Sequence, residues 1–268
     1  MKIVFLIGNR PNHIALAQKI SEIVKPELIV TETRSSVERN VSKNLIRKVV
    51  ALLSYPIHST WFDLQKHYRD HYSLPKDVPV LNVGNVNASD VLQTIVAMNA
   101  DYIFVSGTRL IKKEVVQALE KHSKIINLHT GLSPYIKGGP NCTNWCLALN
   151  KPYLIGNSIM WLNAGIDSGN LITTQKVELS NIKSFYDLHL RVMEHAHELF
   201  CAVANSLALG KELPNRLQMQ INQGKTFYTK DWTLWQQIRC IVNFYLIFKV
   251  KKSIKKPKQL VVEVKLLS

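Results

Sequence analysis

Four short apolar runs, 2-KIVFLIG-8, 27-ELIVTE-32, 101-DYIFVSG-107 and 124-KIIN-127, alternate with longer stretches of helical period. This alternation narrows the fold more than any other feature. Strands apolar along their whole length need cover on both faces, and strands separated by helices run parallel. The expected class is α/β, Rossmann-like, a mostly parallel sheet with flanking helices. Helices are expected at 12 to 24, 88 to 99 and 112 to 121, with Asn87, Ser89 and Asp90 as candidate N-caps of the second. Residues 34 to 78 read as a basic insertion at the edge of the fold, with a helix around 61-WFDLQKHYRD-70. Beyond a loop, 139 to 149 reads as a helix, and 153-YLIGNSIMWL-162 and 170-NLITTQKVEL-179 as strands joined by the turn 163-NAGIDSG-169. A long helix is expected from about Ser184 to Leu209, with Leu188, Val192, Ala196, Leu199, Val203 and Leu207 on one face. Residues 1–210 thus form the main domain. Residues 211–268 form a C-terminal extension with a helix over 231–250 and a basic tail.

With 268 residues, 46% of them hydrophobic, the chain can bury a large core. Its formal charge of +15 favours polyanions: nucleic acid, an anionic membrane surface or phosphorylated small molecules. No recognisable nucleic-acid module is present, and the basic residues are spread over the insertion and the tail, so nucleic acid is not the expected partner. Four cysteines are too few for a disulfide framework, and the spacing of Cys142 and Cys146 has no second ligand pair, so no metal site is expected. The apolar run of 1-MKIVFLIGNR-10 is too short for a signal-peptide core, and no run reaches the roughly 20 apolar residues of a membrane span, so a cytoplasmic location is expected. From Lys230 onward nine Lys or Arg face two acids, and 238-IRCIVNFYLIFKV-250 leads directly into 251-KKSIKKPK-258. One reading is an interfacial helix with a polybasic flank on the anionic inner membrane surface. The plainer reading is a helix docked on the protein or on a second subunit.

The chemistry concentrates in 126-INLHTGLSPYIKGGPN-141. Alternation along a strand places Asn127 and His129 on one face, and the Pro- and Gly-rich segment after them forms a shaped loop. Asp167 stands in the Gly-flanked turn "GIDSG". A carboxylate brought to a histidine orients the ring and favours its charged form. Taken singly, each of these residues reads as a turn former, a cap or a satisfied strand-end histidine. "GLSPY" lacks the second Gly of a nucleophile elbow. "EHAHE" at 194 to 198 reads as a polar helix face, since residues two apart diverge on a helix. "GNRPNH" at 8 to 13 follows the first strand and opens a helix, a place that suits an anion beside Asn9 or Arg10.

"NLHTGLSPYIKGGPNCTNWCLALN", followed by "GNSIMWLNAGIDSGNLI", resembles the catalytic domain of the folate-dependent formyltransferases. The likeness covers roughly 80 to 180 well and 1 to 30 loosely. Two departures stand out: Thr130-Gly131-Leu132-Ser133-Pro134 replaces the usual Pro-Ser-Leu-Leu-Pro, and Ser168 replaces a Thr. The resemblance implies a formyltransferase fold with Asn127, His129 and Asp167 as catalytic residues and 10-formyltetrahydrofolate as co-substrate. It places Ser106, Gly107, Thr108, Arg109, Leu110 and Ile111, with Asn163 and Gly165, around the pterin. Among such enzymes the sugar N-formyltransferases fit best, since a methionyl-tRNA formyltransferase normally carries a C-terminal β-barrel and a glycinamide ribonucleotide formyltransferase is more compact. The implied substrate is a nucleotide-linked amino sugar for surface polysaccharide such as O-antigen, held by Asn9, Arg10, Tyr135, Gly138 and Trp145, with Trp161 nearby. A homodimer is implied as well.

Overall fold

The computed structural model describes residues 1–33, 45–139, 141–250 and 260–266. Part of the expected insertion, 34–44, and the lysine-rich run 251–258 lie outside the described residues. Strands β1 (Ile3–Gly8), β2 (Leu28–Glu32), β3 (Val80–Val83), β4 (Tyr102–Ser106) and β5 (Lys124–His129) run parallel. A short β6 (Ile136–Gly138) follows, then β7 (Gly156–Trp161) and β8 (Leu171–Lys176), which extend the sheet antiparallel. The order is β3-β2-β1-β4-β5-β7-β8, and β6 pairs in parallel with β9 (Lys225–Phe227) in a second small sheet. The mostly parallel sheet with flanking helices is the class expected from the alternation of apolar runs.

Strand β1 shows why its sequence is apolar throughout. Ile3, Phe5 and Ile7 point into a core covered by helices α1 (Pro11–Ser21) and α6 (Phe185–Ala208). Val4 and Leu6 point to the other face, under α3 (Ser89–Ala97) and α4 (Lys113–Leu119). All six residues of the strand are buried, so neither face tolerates a polar side chain. The predicted stripe of α6, from Leu188 to Leu207, is buried as expected, and Ser184 caps the helix by accepting from the Asp187 N–H at 2.9 Å.

Several local expectations change. Strand β3 has no counterpart among the expected strands, because a four-residue edge strand with no fully buried side chain carries little apolar signal. The helix expected around 61–70 belongs to a longer α2 (Leu45–His71). It lies against α1 and α6, with Leu64 and Tyr68 buried. Helix α3 is capped at Ala88 without a side-chain hydrogen bond, so Asn87, Ser89 and Asp90 do not serve as the predicted cap. The "EHAHE" segment is not a polar face either, since His197 is 1% exposed and its ring lies against Tyr68. Beyond residue 210, α7 (Leu234–Phe244) leads into a π-helical turn, Tyr245–Lys249. Cys240, Phe244 and Ile247 share a core with Trp145 and Leu147 of α5 (Cys142–Ala148). Among the described residues no helix is long and apolar enough to cross a membrane, and no group of His, Cys, Asp or Glu could hold a metal.

Burial of α6 carries a pH dependence. Burial pushes the pKa of His189 down to about 4, and burial, followed by the charges of Lys19 and His13, holds His197 well below the usual imidazole value. Both are therefore neutral in the folded chain at neutral pH. Below about pH 6.5 the unfolded chain takes up protons that the folded one refuses, so stability falls with pH until the folded pKa is reached. Thermal melts between pH 7 and pH 4.5 should show a falling midpoint, with His189 contributing on the order of 3 kcal/mol by pH 4. His189→Gln, which can still donate to the Asn144 side chain that His189 meets at 2.9 Å, should flatten that slope.

Candidate active site

Asn127 sits in the middle of the sheet, in register with Val105 of β4 and Met160 of β7. His129, two residues on, ends β5 opposite Ser158 and is 7% exposed. Its Nδ1 lies 3.2 Å from Asp167 Oδ2, and its Nε2 lies 3.2 Å from the Ile136 carbonyl and 3.5 Å from Cys142 Sγ. Both ring nitrogens thus face oxygen acceptors, and only a doubly protonated ring could donate to both. Gly131 makes room for the ring: a Cβ there would stand 2.3 Å from His129 Nε2 and 2.8 Å from Cys142 Sγ. Burial pushes the Cys142 thiol well up, with Cys146 and Asp167 adding to the effect, so this sulfur stays protonated and is a poor nucleophile.

Asp167 reaches the histidine from the turn between β7 and β8. Its φ of +46° is left-handed, a conformation Asp adopts more readily than most residues. The turn is shaped from within by Asn163, whose Oδ1 accepts from the Gly165 N–H at 3.1 Å and from the Ser168 hydroxyl at 2.8 Å. It is held from outside by Gln218, whose amide donates to the carbonyls of Asp167 at 2.9 Å and Gly169 at 2.6 Å. The Asp167 carboxylate also accepts from the Gly138 N–H at 2.9 Å, which ties the turn to β6. Gly138 has a φ of +83°, and a Cβ there would stand 2.1 Å from the Phe227 carbonyl, so β6 and β9 can pair this closely only around a glycine.

These elements enclose a cavity of about 470 Å³. Asn127, Gly138 and Asp167 lie on its wall, with Gly107, Thr108, Arg109, Leu110 and Ile111 on one side and Gly165 beyond. His129 stands one layer back, in contact with the wall through Asp167. Ser106, expected at this site, is buried and its hydroxyl meets His13 Nδ1 at 3.0 Å, while Asn163 acts as a turn former off the cavity wall. The remaining aromatic expectations fail. Trp145 is buried, stacked on Phe227 at 4.5 Å and edge-on to Trp232, with its indole N–H donating to the Gly139 carbonyl. The Tyr135 hydroxyl accepts from the Val262 N–H at 2.8 Å, and Trp161 donates to the Pro214 carbonyl beside a different groove. Asn9 donates to the Thr33 hydroxyl at 2.9 Å, and Arg10 lies 5.5 Å from the centre of the Trp61 ring. Neither lines the cavity. Sequence reading missed Phe227, Tyr228 and Thr229, which close the wall from β9 and the residues after it, and it missed Gln218. A three-residue strand carries no periodicity that could have revealed them.

A family model described as formyl transferase matches residues 1–204. A methionyl-tRNA formyltransferase of Clostridium botulinum is 26% identical over 159 residues, covering 59% of this chain and 49% of that protein. One from Citrifermentans bemidjiense is 26% identical over 200 residues, covering 71% of this chain and 58% of the relative. The chain thus spans about half the length of these curated relatives. Among solved structures, a Shewanella sugar N-formyltransferase superposes with a TM-score of 0.56 at 15% identity, covering 91% of this chain and 87% of that one. An N-formyltransferase of Helicobacter canadensis, in complex with folinic acid and dTDP-3-aminofucose, gives 0.54 at 15% identity, with 90% and 81% covered. With the family model matching most of its length, the chain belongs to the formyl transferase family.

Proposed function

We propose that this chain transfers the formyl group of 10-formyltetrahydrofolate to the amine of a nucleotide-linked amino sugar. The observation that carries the reaction is the joint placement of Asn127 and Asp167 on one cavity wall, with His129 held behind Asp167 at 3.2 Å. The neutral amine attacks the formyl carbon, the new C–N bond forms, and the bond to N10 of the folate breaks after an oxyanion has developed. The Asn127 amide donates to that oxygen, and His129 joins it by exchanging the Ile136 carbonyl for the substrate oxygen. Asp167 holds the imidazole in orientation from 3.2 Å and, through water, carries the proton lost by the amine to the departing N10.

The substrate class is supported by fold neighbours that cover about nine tenths of this chain, one of them carrying folinic acid and dTDP-3-aminofucose in its structure. Use of such a sugar in surface polysaccharide follows from the family resemblance alone. A second reading, formylation of methionyl-tRNA, is favoured by the names of the sequence relatives and by the net charge of +15.

A panel of dTDP-, UDP- and GDP-linked 3- and 4-amino sugars, glycinamide ribonucleotide and methionyl-tRNA, assayed by tetrahydrofolate release, separates these readings. Turnover of one sugar nucleotide that collapses in His129→Ala is the expected result. Turnover of methionyl-tRNA instead would replace the substrate assignment. Asn127→Ala should lower kcat by about 10²- to 10³-fold, the usual cost of one oxyanion donor. Asp167→Asn preserves size and tolerance of a left-handed backbone but removes the charge, and should cost kcat about 10²-fold or more. Gly131→Ala should abolish turnover by displacing the His129 ring while 5-formyltetrahydrofolate binding is retained, as titration would show.

A further inference from the structure

Strand β2 ends on a carboxylate whose side chain has no exposed surface. Glu32 accepts from the backbone N–H of Arg109 at 2.7 Å and from that of Val86 at 3.0 Å, and its Oε1 lies 2.5 Å from Arg109 Nε. The same guanidinium donates through Nη2 to the Gly84 carbonyl at 2.6 Å. Asn87 adds two ties from the same side: its amide donates to the Leu110 carbonyl at 3.2 Å, and its Oδ1 accepts from the Lys112 N–H at 2.8 Å. Burial alone would raise the pKa of Glu32, but the backbone donors of Arg109 and Val86 and the Arg109 charge outweigh it and hold the carboxyl below its usual range.

A buried carboxylate is tolerated only where its lone pairs meet donors, and here a principal donor is the segment 107–111 that walls the cavity. That segment lacks a regular ladder of its own, and Leu110 is 61% exposed. Apart from Ile111, which is buried in the core under α3 and α4, its backbone is placed by what grips it from behind. We propose that Glu32, assisted by Asn87, is a positioning residue that clamps 107–111 in the conformation that receives the folate. This rests on the folate reading of the cavity. It also narrows recognition: the Arg109 N–H and the Leu110 carbonyl are engaged by the clamp, so pairing with the pterin edge falls to the remaining backbone groups of the segment.

The test compares wild type with Glu32→Gln and Asn87→Ala in the full chain. Readouts are the dissociation constant of 5-formyltetrahydrofolate, the KM for the formyl donor, the KM for the amine accepted in the panel above, and the melting temperature. Loss of charged hydrogen bonds should weaken folate binding and raise the formyl-donor KM by about tenfold or more in Glu32→Gln, with amine KM within about twofold of wild type. Asn87→Ala should move the formyl-donor KM in the same direction by less. Unchanged folate binding in both variants would overturn the clamp. So would donor and amine KM rising in step with a fallen melting temperature, which is the mark of a general structural role. If Glu32→Gln does not fold, Asn87→Ala decides alone. Wild type that fails to bind 5-formyltetrahydrofolate would sink the folate reading first and the clamp with it, whereas wild-type binding with indifferent variants sinks the clamp only.

Discussion

The Asp167 carboxylate is the junction on which the site depends. An ionised carboxylate only accepts hydrogen bonds, and one placed in a largely covered position must find donors from the chain around it. Here they come from His129 at the end of β5 and from the Gly138 N–H in β6. One side chain thus ties together the main sheet, the small second sheet and the turn between β7 and β8. The turn in turn holds its left-handed aspartate because Gln218, from the segment after α6, grips the Asp167 carbonyl. Residues distant in the chain therefore set a geometry that no single loop could hold by itself.

Behind the site, the sheet is a rigid frame because both of its faces are covered. Its alternating inward and outward residues feed two separate cores, and the antiparallel pair β7 and β8 carries the same packing past β5 under α6. A polar seam registers α2 on this frame. Gln65 donates to the Asn12 side chain at 3.0 Å, and the Tyr68 hydroxyl and Lys19 ammonium both donate to Glu194, at 2.7 and 2.6 Å. Such pairs add little net stability beside apolar packing, yet their geometry discriminates among helix placements that apolar contact alone would allow. Helix α2, within the segment read as an insertion, is in this way registered on α1 and α6, with Arg10 stacked toward its Trp61.

The three polar residues of the candidate site were legible because local rules mark their positions along the chain, although distant residues fix their geometry. Strand alternation brings Asn127 and His129 to one face, and the glycines around Asp167 mark a turn whatever the rest of the chain does. The aromatic wall was misread for an equally physical reason. Trp145, Tyr135 and Trp161 lie close to the motif in sequence, but a large ring with a single polar group is most stable where the ring is covered and the polar group meets a backbone partner. Tyr135 and Trp161 found hydrogen-bond partners away from the cavity, and Trp145 is buried behind its wall, with its N–H on the Gly139 carbonyl and its ring on Phe227.

What the sequence by itself determined is therefore the layered α/β class, the run of parallel strands, the long amphipathic α6 and the three polar residues with their order along the chain. Each of these follows from periodicity or from turn chemistry over fewer than about thirty residues, the range in which local preferences act. Only the tertiary structure decided that β9 pairs with β6, that Gln218 holds the Asp167 turn, that Glu32 grips Arg109 across 77 positions, and that α7 shares a core with α5. These contacts join short or irregular segments whose own sequences have no preferred partner. Their pairing is selected by which buried donors and acceptors, and for α7 which apolar faces, remain to be satisfied once the sheet and its helices have closed.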